Sequence, residues 1–82
     1  MLSRGFREEM ENSLKVAVGN KLRERRLQLR MTQREVAAAL NVAQPIYQRF
    51  EKGIYECSYA QLVALCNIFD LSADYLLGLS EY

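Results

Sequence analysis

Apolar residues recur at three- and four-residue intervals along most of this chain, the period of a helix that buries one face. Leu14, Val18, Leu22 and Leu29 form one such row, with Lys21, Arg23, Glu24 and Arg25 between them, and predict a helix over about residues 14–29. Phe6 and Met10 carry the same i, i+4 row backwards. Residues 1–17 therefore read as an N-terminal helical extension, continuous with the first helix or docked beside it, although Gly5 and Asn12 are poor helix formers. Thr32 and Glu35 have the spacing of a capping box and open a helix from Gln33 to Leu40 that buries Val36, Ala37 and Leu40. Asn41 tolerates the left-handed backbone of a tight turn. Ala43 then takes a cap position, and Pro45 suits the first turn of a third helix that reaches about Lys52 and ends at Gly53. Ser58 opens a fourth helix, striped by Leu62, Leu65, Cys66 and Phe69 and ended by Asp70. Ser72 caps a short fifth helix containing Tyr75, Leu76 and Leu77, stopped by Gly78. No stretch alternates with period two, so the chain is predicted to be all-α, a compact bundle of five helices.

At 82 residues there is room for one core only, and half the residues are hydrophobic, as in a soluble globular chain. With no histidine and two cysteines, a structural zinc site lacks ligands, and the commonest general base is missing. The chain is thus expected not to be an enzyme and to need no metal or cofactor. No apolar run approaches the roughly 20 residues that span a bilayer, and the charged start MLSRGFREEMENS does not read as a signal peptide. A cytoplasmic location without membrane contact is expected, with Cys57 and Cys66 reduced and packed as small hydrophobes; their spacing does not suit a redox pair. Net charge is only +1, but it is divided: +4 over residues 1–30, +1 over 31–53 and −4 over 54–82. A polyanionic partner is compatible with that gradient, as is a solvated basic helix followed by an acidic one.

Residues 32–53, TQREVAAALNVAQPIYQRFEKG, meet a tight geometric demand. Two helices joined by a three- or four-residue turn cross steeply, so a small residue is needed where they meet. Ala37 supplies it, and Val36, Leu40, Val42, Tyr47 and Phe50 fill the angle, with the Tyr47 hydroxyl expected at the rim. The outer face of the second helix of this pair is left with Gln44, Pro45, Ile46, Gln48, Arg49 and Lys52, amides and cations suited to a DNA major groove.

With VGNKLRERRLQLRMTQ ahead of this stretch, R-x-E-x-G closing it and SADYLLG behind, the sequence resembles the phage Cro/repressor-like (Xre-type) helix-turn-helix family of bacterial transcription regulators. The resemblance covers residues 18–79, leaving 1–17 outside it and 80–82 as a tail. It implies a lambda-repressor-like DNA-binding domain whose third helix reads double-stranded DNA, as a homodimer on a palindromic operator. It also implies roles. Gln44, Pro45, Ile46 and Arg49 fall at base-contacting positions, Ile46 suiting a thymine methyl; for Arg49, phosphate and base edge are equal alternatives. Thr32, Gln33, Gln48, Lys52 and Gly53 fall where phosphate is met, the last two through backbone amides, and Gln33 also braces Gln44. Arg26 and Glu51 match a structural pair that ties the first helix to the end of the third.

Arg30 stands where the family commonly has a helix-ending glycine, and Asn41 replaces its turn glycine. For pairing of two copies, the apolar C-terminal helix is the first choice and the Phe6/Met10 segment the second. No small-molecule ligand is evident, and the expected regulator has no separate sensing domain in this chain. The alternative is a protein–protein interaction module of the same fold, an adaptor or antitoxin-like protein, suggested by the acidic, apolar last third with Tyr75, Leu76, Leu77, Leu79 and Tyr82 close together.

Overall fold

The computed structural model describes residues 4–81, and over that span the chain forms five helices and no strand. Helix α1 runs unbroken from Arg4 to Gln28. Neither Gly5 nor Asn12 interrupts it, so residues 4–17 of the extension and the first predicted helix are one element; residues 1–3 lie outside the described span. At 1.5 Å per residue it is about 37 Å long, and it accounts for most of the longest molecular dimension, 41 Å against 27 and 20 Å.

Helices α2 (Gln33–Leu40) and α3 (Gln44–Glu51) form the helix-turn-helix. The capping box is complete: the Thr32 hydroxyl accepts from the Glu35 amide at 3.0 Å, and the Thr32 amide donates to the Glu35 carboxylate at 2.9 Å. Those bonds hold the Glu35 carboxyl below its ordinary pKa. Asn41 closes α2 in the left-handed conformation, φ 60°. Arg30, after α1, also adopts it at φ 56°, so the chain turns there without glycine.

Helix α4 (Tyr59–Phe69) starts with a second capping box, Ser58 with Gln61. Helix α5 (Ala73–Leu76) is a single turn, one residue shorter than expected because Leu77 already serves as its C-cap. The core takes Leu22 from α1, Val36, Ala37 and Leu40 from α2, Tyr47 and Phe50 from α3, Leu65 and Phe69 from α4, and Leu76 from α5. Two cations of α1 fasten the C-terminal helices to it. Lys21 donates to the Tyr75 carbonyl at 2.7 Å, and Arg25 donates to that of Phe69 at 2.9 Å. The C-terminal helix consequently offers little free apolar surface: Leu76 is fully buried, Tyr75 and Leu77 are half-buried, and Leu79 alone is exposed. Tyr82, the other member of that cluster, lies outside the described residues. No helix among the described residues is long and apolar enough to cross a membrane.

Candidate nucleic-acid interface

Helix α3 sorts its side chains sharply. Tyr47, Phe50 and Glu51 turn inward, while Pro45 is exposed and Gln44, Ile46, Gln48 and Arg49 are half-buried at the outer face, with exposed Lys52 following. Ile46 packs partly against the core, so only part of its side chain is presented outward.

Glu51, the helix's one carboxylate, is removed from that face and neutralised. Arg26 grips it with two bonds, Nε to Oε2 at 2.6 Å and Nη2 to Oε1 at 3.1 Å, and gives its remaining nitrogen to the Met31 carbonyl at 3.0 Å. The side chains are 11% and 2% exposed, so this pair is enclosed. Gln33 Nε2 donates to the same Glu51 Oε1 at 3.0 Å, and Gln44 Nε2 donates to Gln33 Oε1 at 2.8 Å. Burial by itself would raise the Glu51 pKa, but the bonds from Arg26 and Gln33 outweigh it and hold the carboxyl below its ordinary value. The same pairing raises the pKa of Arg26.

An ionised carboxylate only accepts. It therefore forces Gln33 to aim its nitrogen inward and its oxygen at Gln44, which in turn must donate. The result is a directed relay, Gln44 to Gln33 to Glu51, that leaves Gln44 with one N–H and a carbonyl oxygen for an outside partner. Both polar ends of Gln33 are engaged within the protein, a position beyond what spacing alone revealed.

Tyr47 corrects an expectation. Its hydroxyl is not at the rim but fully buried beside Glu51 and Arg26, with no hydrogen bond of its own. Desolvation first, and the adjacent carboxylate second, drive its pKa far above the phenolic range. The backbone amides of Lys52 and Gly53 also differ from the implied role. They donate to the carbonyls of Gln48 and Phe50 at 3.0 and 3.1 Å, while the Lys52 side chain is exposed.

Two features escaped the sequence reading. The Arg49 guanidinium lies over the Tyr55 ring, 5.4 Å from its centroid, which steadies a long side chain at the outer face. Gly19 is where α1 meets the end of α3: a Cβ there would stand 2.4 Å from the Phe50 carbonyl oxygen and 2.6 Å from that of Glu51. A glycine inside an otherwise regular apolar stripe is the signal that could have found it.

A helix-turn-helix family profile matches residues 22–76, which hold α2, α3 and the elements that brace them. The chain belongs to the Xre/Cro-like helix-turn-helix family. Among its relatives is YqaE of Bacillus subtilis, described as an uncharacterised HTH-type transcriptional regulator, 39% identical over 56 residues, or 68% of this chain and 48% of that protein. ImmR of the same organism, an HTH-type transcriptional regulator, is 32% identical over 66 residues, 80% of this chain and 52% of that protein. The helix-turn-helix chain thus spans about half the length of these curated relatives. No solved structure matches it significantly.

Proposed function

We propose that this helix-turn-helix domain is a transcriptional regulator that binds double-stranded DNA sequence-specifically, with α3 in the major groove and two copies on a palindromic operator. The observation that carries this reading is the outer face of α3. It presents Gln44, Gln48, Arg49 and Lys52 while its only carboxylate is turned inward onto Arg26. A helix face so cleared of negative charge suits a groove flanked by phosphates, and amides and guanidinium groups are the side chains that read base edges. Gln44 offers a donor and an acceptor together, the complement of the N6/N7 edge of adenine. Lys52 addresses phosphate, and Arg49 reaches either phosphate or a base. The two relatives described as transcriptional regulators add support from the family.

The test is selection of bound duplexes from a randomised pool at low salt. Enrichment of one motif with two-fold symmetry is expected. Uniform recovery of all sequences, or no binding even at low ionic strength, would sink the reading.

A further inference from the structure

The end of α1 that reaches beyond the core carries an apolar row, and that row runs into an apolar recess. Each described residue from Arg4 to Leu14 is exposed, including Phe6 at 50% and Met10 at 43%. Leu14, next in the row, is also a wall of a cavity of about 160 Å³ between α1, the α3–α4 loop, α4 and α5. Val18, Cys57, Leu62 and Leu77 line the cavity, and Tyr59, 91% exposed, stands beside it. Its size matches a phenyl or thioether side chain with its neighbours rather than a drug-sized molecule, for which pockets run to roughly 300–1,000 Å³.

From this geometry we infer that α1 and the recess form the interface between two copies of this chain, each copy's Phe6/Met10 row seating in the other's recess. The inference deepens the two-copy reading above and rests on it. Three observations favour a second copy as the occupant. First, the ridge and most of the recess are apolar, with Lys15 and Glu56 the charged members of the recess wall; both lie on one chain and share Leu14, which is the self-complementary patch that a two-fold axis requires. Second, residues 4–15 hold Arg4, Arg7 and Lys15 against Glu8, Glu9 and Glu11, so two such segments approach without net repulsion. Third, the exposed parts of Phe6, Met10, Leu14 and Tyr59 over two copies amount to on the order of 1,000 Å², the lower bound of a specific interface. The C-terminal helix has no comparable surface, since Leu76 lies in the core.

Sedimentation velocity of the full chain, with isotope-resolved cross-linking, tests this. The wild type should be a dimer at micromolar concentration. Met10→Asp and Tyr59→Glu, both at exposed positions and checked for folding by circular dichroism, should each weaken it by at least about tenfold, because a charge would be buried unpaired. In a mixture of ¹⁴N and ¹⁵N chains carrying Phe6→Cys and Cys66→Ser, a short bismaleimide should join position 6 of one copy to Cys57 of the other, giving mixed-isotope peptides. A dimer indifferent to both substitutions, or links of one isotope only, would overturn the interface while leaving two-fold pairing intact. A monomer at all concentrations would overturn both, and binding to selected duplexes would then stand or fall separately. A monomer that takes up 1-anilinonaphthalene-8-sulfonate, with fluorescence lost in Tyr59→Glu, would reassign the recess to a small apolar ligand.

Discussion

At the scale of single residues, Glu51 anchors both the enclosed pair with Arg26 and the relay that positions the Gln44 amide. Removing one partner of an enclosed ion pair strands the other, which costs about 3–5 kcal/mol, far more than the roughly 0–1 kcal/mol of an exposed pair. Arg26→Ala and Glu51→Ala should each destabilise on that larger scale, and the double variant by less than their sum; denaturant titration of the cycle measures the coupling, and additivity would mean that the pair contributes nothing. The pH dependence has a definite sign. The folded pKa of Glu51 lies below its unfolded value, so its contribution is complete above about pH 4.5, the ordinary carboxylate value, and is lost as pH falls through the folded pKa. Acid unfolding curves should therefore be steeper for the wild type than for Glu51→Gln below that pH. The relay also revises what Gln33 is expected to do. A pure phosphate contact would make Gln33→Ala weaken all operators alike. Because Gln33 aims the Gln44 amide, its loss should also relax preference at the base pair Gln44 reads, by a part of the ~1–3 kcal/mol that a good bidentate contact supplies. A binding profile over single-base operator variants decides, and a uniform shift would show that the brace does not reach the base.

At the scale of elements, two backbone positions make opposite predictions. Gly19→Ala should destabilise by about 1–3 kcal/mol, since its methyl would meet two carbonyl oxygens that belong to α3 and cannot both move aside. Arg30→Gly should stabilise by about 0.5–1 kcal/mol, because relief of the left-handed strain slightly exceeds the entropy a glycine adds to the unfolded chain. Thermal melts of the two variants should move in opposite directions. The same contrast explains what the sequence made legible. Caps and stripes are local, so Thr32, Ser58, Asn41 and the α2 core positions could be read from spacing. For residues 4–13, the row of Phe6 and Met10 left continuity with α1 and docking beside it as equal alternatives, because Gly5 and Asn12 pulled against a helix and an exposed segment offers no packing to decide. The burial of the Tyr47 hydroxyl depends on where α1 crosses α3, and the bond from Gln33 to Glu51 on how the start of α2 meets the end of α3, which no local spacing encodes.

On the scale of the whole molecule, the net charge of +1 conceals a division along the sequence, +4 over residues 1–30 against −4 over residues 54–82. Affinity for duplex DNA should fall with salt, log K dropping about 0.9 per phosphate contacted per tenfold rise in concentration. Lys52→Ala should reduce that slope by about one contact without altering base preference, whereas Arg49→Ala should change either slope or preference according to which partner it meets. Titration at four or five salt concentrations separates these outcomes. On the proposed reading of the α3 face, the relay has a last consequence, for how DNA preference can diversify. Glu51 and Arg26 are each enclosed, so a change at either leaves a stranded charge, and a change at Gln33 disturbs both the carboxylate and the reading residue. Gln44 is the one link whose replacement neither strands a charge nor removes a bond to the buried carboxylate. New operator preferences can therefore be sampled at Gln44 and its outward neighbours while the anchor that aims them stays unaltered, so that variation enters this machinery from its DNA end.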